Sequence, residues 1–134
     1  MIVLDASALV ELLLDTPTGR VIASRIANPV LGLHMPHLAD IEVVQALRRY
    51  VTDRELDSSA VAAALEDLHA LDLQRHANEP LLDRVWELRH NLSAYDAVYV
   101  ALAEVLETMM LTCDGRLARS PDARRRVELV KPPT

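Results

Sequence analysis

Short apolar runs that alternate with helix-patterned stretches constrain this chain most. Ile2–Leu4, Val30–Met35, Leu71–Gln74, Met109–Cys113 and Val127–Val130 read as strands, each short and bounded by turn or helix-start residues. Helices are expected between them. Ser7–Leu14 reads as a first helix. A second starts at Thr16-Pro17, a cap followed by proline at the first helical position, and ends before Asn28-Pro29. Pro36 opens a third, through Leu38, Ile41, Val43, Ala46, Leu47 and Tyr50. Asp57 or Ser58 caps an alanine-rich fourth that reaches about Ala70. Pro80–Arg89, with Trp86 expected to pack inward, Ser93–Glu107 and the short Asp114–Arg119 complete the set. Strands that alternate with helices imply a three-layer α/β/α sandwich around a central, mostly parallel sheet. The 134 residues suit one domain over 1–134 with one core.

In such sheets ligands bind beyond the carboxyl ends of the strands. Asp5 ends the first apolar run and Asp114 follows the fourth, so the two become neighbours if their strands are adjacent. Each acid has an ordinary explanation. Asp5 suits a helix cap, and Asp114-Gly115 is a common turn. Ser93-x-x-Asp96 matches a capping box. Glu42 borders the apolar stripe of Ala39, Val43, Ala46 and Leu47, where glutamates are usually solvated. As a set they say more. Two strand ends and two early helical turns can converge above one sheet edge. Converging carboxylates repel one another, and a divalent cation that prefers oxygen, Mg²⁺ or Mn²⁺, is the natural compensation.

Four blocks in order, MIVLDASALVELL, ADIEVVQALRR, LSAYDAVYVALAE and LTCDGRLA, resemble the PIN-domain ribonucleases, and among them the VapC-type toxins of bacterial toxin–antitoxin pairs. The resemblance covers essentially the whole chain and implies a Mg²⁺-dependent endoribonuclease. It puts the catalytic and metal-holding acids at Asp5, Glu42, Asp96 and Asp114, with Ser7 and Thr112 as supporting polar residues. It implies that Asp5 and Asp96 hold the main metal, that Asp114 completes the site, and that Glu42 orients the attacking water or a second ion. Mn²⁺ is expected to substitute for Mg²⁺. The resemblance further implies a VapB-type antitoxin docked in a hydrophobic groove near the site, and a homodimer. Leu9, Leu12 and Leu13 of the first helix are expected in the core, with Val10 and Leu14 available to extend beyond it.

The remaining features exclude more than they assign. A formal net charge of −6 argues against a simple electrostatic nucleic-acid binder, unless metal ions supply the positive charge. Aromatics make up 3% and phenylalanine is absent, which argues against a base-stacking platform. The most apolar stretch, Ala94–Cys113, is interrupted by Asp96, Glu104 and Glu107, so no membrane span is expected. With no signal-peptide pattern and with Cys113 as the single cysteine, the plain expectation is a cytoplasmic protein. His34-x-x-His37 lacks the spacing of a helical zinc pair, and Cys113 reads as inert packing. Arg124–Arg126, with Arg116 and Arg119, is either a solvated face or an RNA-guiding rim, with Arg116, Arg119 and Arg124 as its candidates. Two other functions compete. A different metal-dependent phosphohydrolase would show Asp-x-Asp where this chain has Asp5-Ala6-Ser7, and a two-component receiver would need an acidic pair near the first strand, which is absent, although Lys131 is late enough for its lysine. A non-catalytic metal-binding regulatory module would have no need of four mutually repelling acids.

Overall fold

The computed structural model describes residues 1–53 and 55–134. The strands are β1 (Ile2–Leu4), β2 (Leu33–Pro36), β3 (Leu73–His76), β4 (Met110–Thr112) and β5 (Val127–Leu129). They form one sheet in the order β3-β2-β1-β4-β5, every neighbouring pair parallel. The helices are α1 (Ala6–Leu13), α2 (Pro17–Arg25), α3 (Leu38–Thr52), α4 (Ser58–Ala70), α5 (Leu82–Glu87), α6 (Ala94–Val105) and α7 (Gly115–Arg119), with a 3₁₀ turn at Glu79–Leu81. Contacts join α1 to α2, α3 and α4, and α5 to α6. The strand order runs one way from β1 to β3 and the other from β4 to β5, and the right-handed rule for parallel crossovers then puts the first group on one face of the sheet and the second on the other. The expected three-layer α/β/α architecture is therefore present.

Burial follows position in the sheet. Every residue of the inner strands β1 and β4 is buried, which is why these strands read as unbroken apolar runs. α6 buries seven consecutive residues, Ala97–Ala103, because it lies across β1, β2 and β4. Among the described residues no helix is long and apolar enough to cross a membrane.

Several sequence boundaries shift, each for a local reason. Strand β2 begins at Leu33 rather than Val30, because Asn28 turns the chain: its side chain accepts from the Val30 N–H at 3.0 Å, and its carbonyl accepts from Leu31. Pro36 closes β2 instead of opening a helix, and α3 starts at Leu38. Strand β3 starts two residues late, since Leu73 rather than Leu71 pairs with Leu33. Helix α6 stops at Val105, and Glu107 takes a left-handed φ of 52° that no helix continues. Trp86 does not pack inward. It is 66% exposed, and the Arg89 guanidinium lies over its ring at 4.2 Å. The inward face of this segment belongs to Leu81, Val85 and Leu88. In α1, Leu9 and Val10 are buried, whereas Leu12 and Leu13, expected in the core, are only partly buried and pack against it with Leu14.

Candidate active site

The strand order reverses around β1, whose two neighbours come from opposite ends of the chain. That is the switch point at which parallel sheets open a crevice. Leu4 is in register with Leu111, and the Asp5 N–H donates to the Leu111 carbonyl at 3.2 Å. The chain thus brings the residues after β1 and after β4 together.

Asp5 performs both roles that its position offers. It caps α1, accepting from the Ala8 N–H at 2.9 Å. It also accepts from the hydroxyls of Ser7 at 2.7 Å and Thr112 at 2.5 Å. These hydroxyls fasten the neighbouring strand end. Ser7 Oγ accepts from the Cys113 N–H at 2.9 Å, and Thr112 Oγ1 accepts from the Asp114 N–H at 3.0 Å. Asp5 is only 6% exposed and has no ion-pair partner among the described residues. Burial pushes its carboxyl up to about 6, against the three hydrogen bonds that favour the charged form and with some help from Asp114.

The other three acids arrive on separate elements. Asp114 caps α7, its Oδ1 accepting from the N–H groups of Arg116 at 2.9 Å and Leu117 at 3.4 Å. Asp96 lies in the first turn of α6, where its N–H donates to Ser93 Oγ at 3.2 Å, as the capping box requires. Burial and then the charge of Asp114 raise its carboxyl, and Arg116 partly opposes them. Glu42, on α3, accepts from the Tyr99 hydroxyl at 2.6 Å. Burial raises the Glu42 carboxyl, and Asp96 adds to the shift. All four acids line one cleft of about 690 Å³, together with Ser7 and Arg116. The same cleft continues past Glu11, Arg49, Asp53 and Glu55, so among the described residues seven carboxyl side chains and two guanidiniums line it. A cleft of that sign attracts cations, and it holds a polyanion only after cations have entered.

The donors suit a hard divalent ion, because those nearest the strand ends are carboxylate and hydroxyl oxygens. Among the described residues no three of the histidine, cysteine or acidic side chains form a ready-made metal cage. A strongly hydrated ion does not need one, since Mg²⁺ binds through one or two carboxylates and keeps several waters.

A family model described as "PIN domain" matches residues 2–122. The chain belongs to the PIN-domain family. It is 38% identical over 130 residues to Ribonuclease VapC12 of Mycobacterium tuberculosis, a match that spans 97% of this chain and 99% of that one. To Ribonuclease VapC9 of the same organism it is 40% identical over 131 residues, with 97% and 98% covered. These likenesses set it among the VapC-type PIN domains. The fold is also similar to the crystal structure of PAE2754 from Pyrobaculum aerophilum, with a TM-score of 0.67, 23% identity, and 91% of this chain and 81% of that one covered.

Within this PIN domain the remaining candidates separate. Arg119 and Arg124 are exposed but do not line the cleft, and Arg116 does. His34 pairs with His76 rather than with His37, Nδ1 to Nε2 at 2.8 Å. Cys113 borders the cleft, where burial and the charge of Asp5 raise its thiol to about 11, so it is a poor nucleophile. Tyr99 escaped the sequence reading. It stands three residues after Asp96, one helical turn away on the same face, and that spacing was its available signal. The Tyr99 phenol holds Glu42, so if the cleft cuts nucleic acid, Tyr99→Phe should lower the rate roughly tenfold, as lost positioning does. An unchanged rate would remove Tyr99 from the site.

Proposed function

We propose that this PIN domain is a Mg²⁺-dependent endoribonuclease and the toxin of a toxin–antitoxin pair. The observation that carries the proposal is the meeting of four carboxylates from four separate segments in one cleft, the innermost of them, Asp5, buried without a cationic partner. The relatives named as VapC ribonucleases support the same reading.

Asp5, Asp96 and Asp114 would hold the ion, which would supply positive charge at the phosphoryl oxygens and lower the pKa of water. Glu42, steadied by the Tyr99 hydroxyl, orients the attacking water. Ser7 and Thr112 hold the Asp5 carboxylate in one orientation. The water oxygen forms a bond to phosphorus in line with the bond that breaks, and the departing 3′-oxygen takes up a proton. The ends are a 5′-phosphate and a 3′-hydroxyl. Arg116, Arg119 and Arg124 guide the RNA backbone toward the cleft.

The reading includes a VapB-type antitoxin and a homodimer. An apolar groove between α3 and α4, lined by Val44, Leu47, Val51, Val61 and Leu65, supports a partner-binding face.

Purified protein and a pool of small structured RNAs test the proposal, with Mg²⁺ or Mn²⁺, with chelator, and with Asp96→Asn alongside. Cuts should need the metal, carry 5′-phosphates and vanish in a folded Asp96→Asn variant, a loss of at least about a thousandfold. Cyclic phosphate ends would overturn the mechanism, because they would mean that the RNA's own 2′-hydroxyl attacked.

A further inference from the structure

We propose that Arg116 is the resident counter-ion of the acid centre, displaced when a divalent cation binds and thereby released to the substrate phosphate. This inference rests on the reading that the four acids hold a metal. One guanidinium nitrogen, Arg116 Nη2, lies 3.5 Å from Asp96 Oδ2 and 3.7 Å from Asp114 Oδ2. It therefore bridges two carboxylates that would otherwise repel each other. Both distances exceed those of a good charge-assisted hydrogen bond, and the side chain is 81% exposed. The guanidinium is held by charge alone and is free to leave.

The backbone is arranged so that leaving costs little. Asp114 Oδ1 is occupied by the N–H groups of Arg116 and Leu117, the helix cap itself. Asp114 Oδ2 is the oxygen that the Arg116 guanidinium faces. One residue thus binds the two oxygens separately, the first through its backbone and the second through its side chain. A swing of the side chain exposes Oδ2 without uncapping α7. Asp96 offers its Oδ2 to the same guanidinium. A metal ion and Arg116 compete for one oxygen on each of two acids. Arg49, the other cation that lines the cleft among the described residues, forms no ion pair there with any of the four acids. Among the described residues the competition falls on Arg116.

Competition fixes the sign of the effect. A cation beside the site weakens binding of a divalent ion, and in a water-like medium a separation of about 6 Å makes this effect roughly tenfold by Coulomb's law. A residue whose task were to position the acids for the metal would have the opposite effect when removed. Mn²⁺ titrated into the full chain, with the free ion followed by electron paramagnetic resonance, reads the sign directly. Arg116→Ala should bind Mn²⁺ roughly tenfold more tightly than wild type, and Arg116→Lys, which keeps the charge, should stay within about twofold of wild type. At saturating Mn²⁺, Arg116→Ala should still cleave RNA with a lower kcat/KM, because the released guanidinium is missing. Equal or weaker Mn²⁺ binding by Arg116→Ala, or equal tightening by Arg116→Lys, would overturn the counter-ion role and leave the metal site standing. Absence of Mn²⁺ binding by the wild-type chain would overturn the metal reading and this inference together.

Discussion

Asp5→Asn should abolish RNA cleavage and raise the melting temperature of the metal-free protein. The two effects share one cause. Without a cation, Asp5 is a buried carboxyl whose affinity for a proton has risen to about 6. Its ordinary value is 3.8, so the folded chain keeps the Asp5 proton over a pH range in which the unfolded chain has lost it. Between pH 4 and 6 the folded state therefore binds more protons, and stability falls as pH rises through that window. Above it the full cost of a buried charge is present, of order 3 kcal/mol. Asparagine removes the charge and keeps an acceptor for the Ala8 N–H. Some of the gain is lost where its amide meets the Thr112 hydroxyl, which donated to the carboxylate. The expected net result is several degrees in Tm at pH 7.5 in chelator. Thermal melts from pH 4 to 8 check this. The wild-type curve should descend relative to the variant between pH 4 and 6, and on the proposed metal reading the two should converge or cross when Mg²⁺ is added. Parallel curves at every pH would mean that Asp5 is not the costly charge described here.

Gly19→Ala should be among the most destabilising single-methyl additions in the molecule. A Cβ at Gly19 would lie 1.9 Å from the carbonyl oxygen of Glu11 and 2.6 Å from its carbon. Both are backbone atoms of α1, and no rotamer change moves them away. Helix α2 must retreat from α1, and Ile22, fully buried on α2, goes with it. Overpacking of this kind costs about 3 kcal/mol. The intrinsic helix preference of alanine over glycine offsets about 1 kcal/mol of it. Urea denaturation should show a lower midpoint with an unchanged slope. A midpoint equal to wild type would mean that the two helices sit farther apart than this contact requires.

Legibility in the sequence followed burial. β1 and β4 were readable because both of their faces are covered, which leaves unbroken apolar runs with a carboxylate after them. Asp5 and Asp114 were readable for the same reason. Edge strand β3 was placed two residues early, since half-exposed Leu73–His76 has weak contrast with the turn before it. Trp86 faces outward because the inward face of so short a helix is filled by Val85 and Leu88, which the local pattern alone does not distinguish. Tyr99 was within reach of periodicity. Arg49, Glu11, Asp53 and Glu55 were not, since their meeting in one cleft depends on how α1 packs against α3. The His34–His76 pair spans 42 residues and follows from strand pairing alone.

The place of β1 between β2 and β4 also governs when the protein becomes active during its own synthesis. Asp5 and Thr112, whose hydrogen bond joins the two strand ends, are 107 residues apart. A ribosome still translating α6 has already produced Asp5, Glu42 and Asp96, but neither Thr112 nor Asp114. One edge of β1 then lacks its partner, and the acid centre is half built. Such long-range pairing closes late. On the proposed ribonuclease reading, a nascent chain that ends before β4 lacks both Thr112 and Asp114, and so lacks half of the acid centre.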